Sequence, residues 1–164
     1  MAELGAIVGL SGSGKSSSLR NLDPNKTFVI NVAGKPLPFR GFKKGYKQLI
    51  QDPTSKKFEG NLYATSSVDK IAQIFKVIDK TMPHIEQIII DDSQYLMAFE
   101  SMDRALEKGF DKFTQMAQHF YSVLKSAMDL RDDLKVFVLC HSENVGDVMN
   151  PQWKIKTLGK EICL

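Results

Sequence analysis

Hydrophobic positions follow two spacings along the chain. Short apolar runs rich in β-branched residues occur at Ala6-Ile7-Val8, Thr27-Phe28-Val29-Ile30, Ile88-Ile89-Ile90 and Val136-Phe137-Val138-Leu139-Cys140. Their brevity and the lack of polar alternation predict buried strands. Between them the spacing becomes helical. Ile71, Ile74, Phe75, Ile78 and Met82 predict a helix capped by Ser66 or Ser67 and stopped by Pro83. Tyr95, Phe99, Met102 and Leu106 predict another ending near Gly109, and Phe113, Met116, Ala117, Phe120, Leu124, Ala127 and Met128 predict a longer third. Trp153-Lys154-Ile155-Lys156-Thr157 alternates as an exposed final strand does. Asp23-Pro24-Asn25 is a turn signal. Strands alternating with helices predict an α/β fold with a largely parallel sheet.

One stretch breaks the pattern. Residues 33–60 hold three of the six prolines and four of the eleven glycines, so they are expected to form an irregular insertion with one short helix around Lys47-Ile50. With 164 residues and neither a repeat nor a low-complexity linker, one domain spanning 1–164 is expected. Of these residues 43% are apolar and 25% charged, which excludes a disordered chain. No apolar run approaches the roughly twenty residues of a membrane span. The start, Met1-Ala2-Glu3-Leu4-Gly5, lacks the basic and apolar parts of a secretory signal. Cys140 and Cys163 have no metal-ligand spacing, so a reducing, cytoplasm-like compartment is expected.

The formal charge of +3 conceals an asymmetry. Residues 1–60 carry ten Lys/Arg against four Asp/Glu, and the remainder carries twelve against fifteen. Lys35, Arg40, Lys43, Lys44, Lys47, Lys56 and Lys57 are opposed within their stretch only by Asp52. Such a stretch is either a solvated basic loop or a surface that seeks phosphate.

The strongest chemical signal is Gly9-Leu10-Ser11-Gly12-Ser13-Gly14-Lys15-Ser16, a full match to G-x-x-x-x-G-K-[ST]. Glycines reach backbone angles that turn successive N–H groups toward phosphate oxygens. Gly14 opens a helix, continued by Ser17-Ser18-Leu19-Arg20, whose amino end faces the anion. Gly9, Ser11, Gly12, Ser13, Gly14, Lys15, Ser16 and Ser17 are therefore the candidate nucleotide-binding residues. Lys15 is placed to stabilise the outer phosphates, and the Ser16 hydroxyl to ligate Mg²⁺.

A second acidic element is expected at a neighbouring strand end, and Ile88-Ile89-Ile90-Asp91-Asp92 has that form. Asp91 is the candidate Mg²⁺ residue. Asp92 either orients and deprotonates an attacking water or caps the helix starting at Ser93-Gln94. The last apolar run leads into His141-Ser142-Glu143-Asn144. His141 is the candidate for sensing the γ-phosphate or the water, with Glu143 a weaker alternative base. Lys154 and Lys156 share a strand face and, with Lys160, either reach the nucleotide of an adjacent subunit or protect an edge strand.

In this order the motifs resemble those of the small RecA-like P-loop ATPases of tailed bacteriophages, labelled AAA-type, some of which are similar to single-strand-annealing recombination proteins. The resembling segments are the phosphate loop, Ile30-Asn31-Val32-Ala33-Gly34-Lys35-Pro36-Leu37-Pro38, Ile90-Asp91-Asp92-Ser93-Gln94-Tyr95-Leu96, His141-Ser142-Glu143 and the lysines from Lys154 to Lys160. The resemblance implies a RecA-like core, binding of ATP and Mg²⁺, action on single-stranded DNA in an oligomer, Lys156 or Lys160 as a finger acting in trans, and residence in the bacterial host cytoplasm. Two features depart from it. Recombinases place a glutamate base after the second strand, where this chain has Asn31-Val32-Ala33-Gly34, and such cores continue beyond the point where this chain stops, so a shortened form with slow or absent hydrolysis is expected.

The leading expectation is a Mg²⁺-dependent ATPase of phage DNA recombination or replication, catalysed by Lys15, Asp92 and His141, with Lys43, Lys44, Lys47, Lys56 and Lys57 meeting single-stranded DNA. The alternatives are a nucleoside or small-molecule P-loop kinase, for which four scattered arginines are few, and a nucleotide-binding assembly module without turnover.

Overall fold

A computed structural model describes residues 1–157. Its main sheet is α/β in character, with five parallel strands in the order β1-β7-β6-β2-β5. These are β1 (Glu3–Gly9), β2 (Thr27–Asn31), β5 (Leu62–Ala64), β6 (Gln87–Asp91) and β7 (Lys135–Asn144). β8 (Trp153–Ile155) pairs antiparallel with the far end of β7, and β3 (Ile50–Gln51) with β4 (Phe58–Glu59) forms a separate hairpin. The helices are α1 (Lys15–Ser18), α2 (Phe42–Gly45), α3 (Val68–Thr81), α4 (Tyr95–Asp103) and α5 (Asp111–Met128).

The central strands are buried as their apolar runs predict. Side chains of a strand point alternately to its two faces. Phe28, Ile30, Ile88, Ile90, Val136 and Val138 meet Ile71, Phe75, Ile78, Met116, Phe120 and Leu124 of α3 and α5. Val29, Ile89 and Leu139 point the other way, toward Leu19, Leu37 and Tyr46. The 33–60 insertion is thus a packed cover for the second face. Its helix lies at Phe42–Gly45, earlier than predicted, because Gly41 at φ 79° starts a turn there and Tyr46 is already extended. The predicted helical residues lead instead into β3.

Other differences have local causes. β1 is an edge strand, paired among the described residues only with β7, so Ile7 and Val8 are each 43% exposed where a buried run was predicted. β5 escapes the pattern because three residues cannot display a period. α4 ends at Asp103, leaving Leu106 98% exposed, while Leu96 and Met97 are its buried residues. Arg104 explains part of this early stop: its guanidinium binds Glu100 and Glu107, and its N–H closes the last turn on the Glu100 carbonyl. α3 begins as predicted, with the Ser67 hydroxyl accepting from the Lys70 N–H. No helix among the described residues is long and apolar enough to cross a membrane.

Candidate functional site

The parallel strands end on one side of the sheet, where three sequence-predicted elements meet. The β1 end leads into the phosphate loop, β6 delivers Asp91 and Asp92, and β7 lies between β1 and β6. Register places His141 directly beside Gly9. β7 runs through His141 to Asn144 rather than stopping at Cys140, because β8 supplies a partner for that end. His141 is therefore held in a strand instead of a loop.

In the loop, Gly12 and Gly14 have φ of 76° and 92°, a region that side chains resist. A Cβ at either would meet nothing within 4 Å, so the glycines serve backbone conformation and leave the cradle open. Ser11, Gly12 and Ser13 are exposed, and Ser17 is half-buried in α1. α1 has only four residues before a 3₁₀ turn at Leu19–Asn21, so no long helix dipole stands behind the loop. Lys15 Nζ donates to the carbonyls of Gly9 and Leu10, both at 2.8 Å, and approaches Ser13 Oγ at 3.4 Å.

Ser16 Oγ donates a 2.7 Å hydrogen bond to Asp91 Oδ1, joining residues 75 positions apart. Asp91 is 5% exposed. Burial pushes its carboxyl above the usual range and the Asp92 charge adds to this, while the Ser16 hydroxyl, the Asp92 N–H and Lys15 oppose it. Among the described residues no group of three or more His, Cys, Asp or Glu could hold a metal by protein ligands alone. A hydroxyl and a carboxylate beside a phosphate cradle suit Mg²⁺, which keeps waters and takes oxygens from both protein and phosphates.

Asp92 adopts φ 57°, unusual for a non-glycine residue and tolerated best by Asp and Asn. It does not cap α4. The cap position is Gln94, which has no side-chain cap bond. Asp92 Oδ1 instead lies 3.3 Å from His141 Nε2 and accepts a long hydrogen bond of 3.5 Å from Gln94 Nε2. Gln94 Oε1 accepts the His141 N–H at 3.3 Å, so one amide links the acidic turn to β7. Buried Ser93 adds a second link, donating its hydroxyl to the Leu139 carbonyl. Burial and the nearby charges of Lys15, Lys156 and Lys35 lower the His141 pKa, with Asp92 opposing them.

No protein-family model matches the chain, and no curated protein matches it.

The remaining candidates lie apart from these groups. Glu143 is drawn to Lys154, 3.7 Å away on β8. Gly45 and Lys47 are tied to Asn61, which also binds the Pro24 carbonyl, at the amino ends of β2 and β5. Lys43, Lys44 and Lys47 accordingly belong to the end of the sheet away from the phosphate loop. Lys56 and Lys57 sit in the β3–β4 turn. Asn31, standing where a recombinase base was expected, accepts the Gly34 N–H and donates to the Lys35 carbonyl, so it builds a turn. Lys156 is beside its own chain's His141, whose carbonyl accepts the Lys156 N–H at 2.8 Å. Lys160 and Cys163 lie outside the described residues.

Three residues near the site had no role there in the sequence reading: Gln94, Tyr95 and Lys35, the last counted only in the basic stretch. Tyr95 was assigned to a helix stripe, yet its ring meets His141 edge-on at 6.4 Å and carries the Lys35 ammonium 4.9 Å from its centroid. The signal for Gln94 was its place two residues after Asp92; nothing in the sequence brings Lys35 to β7.

Proposed function

We propose that the chain is a Mg²⁺-dependent ATPase with a RecA-like P-loop core, acting in phage DNA recombination or replication through single-stranded DNA. The observation that supports this reading is the Ser16–Asp91 hydrogen bond, in which a hydroxyl meets a buried carboxylate beside the glycine loop, a pair whose chemistry suits Mg²⁺. The loop N–H groups and Lys15 would hold the ATP phosphates, and Ser16 and Asp91 would hold Mg²⁺. Bound there, Mg²⁺–ATP supplies an electrophilic γ-phosphorus with its charge partly neutralised.

The chain's own groups then divide the work. Lys15 leaves its carbonyl partners to meet developing negative charge on the phosphates. Asp92 orients a water and accepts its proton, its carboxylate held by Gln94 and beside His141. His141, neutral at physiological pH because its pKa is lowered, can donate to a phosphate oxygen or to the water without adding a fixed charge.

A phosphoryl-transfer kinase is less well supported. Arg104 is committed to Glu100 and Glu107, and Arg131 to carbonyls at the end of α3. Only Arg20 and Arg40 are left to clamp a transferring group. A non-hydrolysing module is favoured by one observation, the structural use of Asn31. Phosphate release with and without single-stranded DNA, beside calorimetry with ATP, separates the readings. Wild type should release phosphate and Asp92→Asn should bind ATP without doing so. ATP binding with no release by wild type would assign the module, and release that requires an added acceptor would assign the kinase.

A further inference from the structure

The backbone of His141 is fixed by β7, by Gln94 and by Lys156, but its imidazole is oriented by side chains. Asp92 Oδ1 lies 3.3 Å from Nε2, and the Tyr95 ring stands nearly perpendicular to the imidazole, at 76°. Tyr95 opens α4 and is itself braced twice. Phe99 packs on it one turn along, at 5.4 Å, and the Lys35 ammonium stands 4.9 Å from its centroid. Lys35 owes that place to β2. Asn31, 7% exposed, pairs in register with Asp91; its side chain accepts the Gly34 N–H and donates to the Lys35 carbonyl. The Val32 N–H donates to the Asp91 carbonyl. The turn that uses Asn31 is therefore anchored on the strand pair that delivers the acidic residues, and it sends Lys35 across to α4. Lys35 is exposed and, among the described residues, has no carboxylate within ion-pair distance. A solvated lysine gives up rotamer freedom to settle on a ring, and the attraction of a cation for an aromatic face offsets that loss.

We propose that Lys35 is a positioning residue for His141, acting through the Tyr95 ring to hold the imidazole against Asp92. The effect on rate rests on the ATPase reading, because an imidazole turned away from Asp92 no longer supports the water or the phosphate. The first turn of the 33–60 insertion thereby has a mechanical hold on the candidate catalytic groups. Lys35 also acts on His141 through charge, as Lys15, Lys156 and Asp92 do. Charge and position are separable, because only position passes through Tyr95.

NMR of the nucleotide-free full chain and steady-state phosphate release test this together. Shifts of the His141 ring protons, taken well above its titration where the ring is neutral, report orientation, because a neighbouring aromatic ring displaces them according to geometry. Lys35→Gln and Lys156→Gln should both raise the His141 titration, but only Lys35→Gln should move the neutral-ring shifts, and Lys35→Arg should restore them. In phosphate release Lys35→Gln should lower kcat about two- to fivefold with KM for ATP unchanged, the range an exposed cation–π contact supports. Lys35→Arg and Tyr95→Phe should match wild type. With Tyr95→Leu already present, Lys35→Gln should lower kcat no further. If Tyr95→Leu fails to fold, the variants of exposed Lys35 decide the matter. Unmoved neutral-ring shifts in Lys35→Gln, unchanged kcat in an active enzyme, or an equal loss with and without Tyr95 would each overturn the positioning role and leave the ATPase standing. Shifts that move in Lys35→Gln and return in Lys35→Arg, in a wild type that releases no phosphate, would keep the positioning role and refute the ATPase.

Discussion

Removing the Ser16 hydroxyl tests the joint on which the site is built. Ser16→Ala deletes the 2.7 Å donor to Asp91 Oδ1 and leaves a 5% exposed carboxylate with less support. Hydrogen bonds to charged groups contribute about 1.5–3 kcal/mol, so the metal-free variant should lose about 2 kcal/mol at neutral pH. For a chain of this size that corresponds to a fall in Tm of about 4–8 °C. The pH dependence has a definite sign. Asp91 carries a raised pKa in the folded state, so its ionisation costs stability as pH rises from the unfolded carboxylate pKa through the folded one. Ser16 opposes that rise, and its removal enlarges the cost. The gap between variant and wild type should therefore be widest at neutral to alkaline pH and narrow in acid, where Asp91 is protonated. Thermal melts of Ser16→Ala, Asp91→Asn and the double variant without Mg²⁺ measure it, with an expected coupling of about 1–2 kcal/mol at pH 8. Coupling near zero, or a gap that does not change with pH, would refute the argument.

Three further outcomes are expected. Lys15→Ala should reduce ATP affinity at least about tenfold by calorimetry, since a charge-assisted phosphate contact is lost, and unchanged affinity would count against the loop assignment. His141 should titrate by NMR below the ordinary histidine value, and Lys156→Ala should move that titration upward; folding stability should correspondingly fall as pH drops through the unfolded histidine pKa. Arg131→Met should lower Tm by about 6–12 °C, a loss of about 3 kcal/mol, because the guanidinium donates to the carbonyls of Ile78, Asp79, Met82 and Ile85, while ATP affinity of the folded protein stays unchanged.

The sequence by itself determined the elements whose physics is local. Four apolar runs became strands, Ser67 capped α3, and Gly12 and Gly14 of the loop adopted positive φ, while Gly9 ended β1. Asp91 at a strand end was equally legible, because an apolar run can deliver only its last residue to the edge. What tertiary structure alone decided was strand order. Placing β7 between β1 and β6 puts His141 beside Gly9 and brings Asp92 to its ring, and no pattern within β7 specifies its neighbours. The same holds for the insertion, whose Leu37 and Tyr46 bury against Leu19 and Leu139 from distant parts of the chain. The basic stretch shows the limit most clearly. Its charges were countable from residue types, but turns at Asn31, Gly41 and Asn61 sent Lys35 to one end of the sheet and Lys47 to the other, because hydrogen bonds and burial, not proximity in sequence, set where each residue comes to rest.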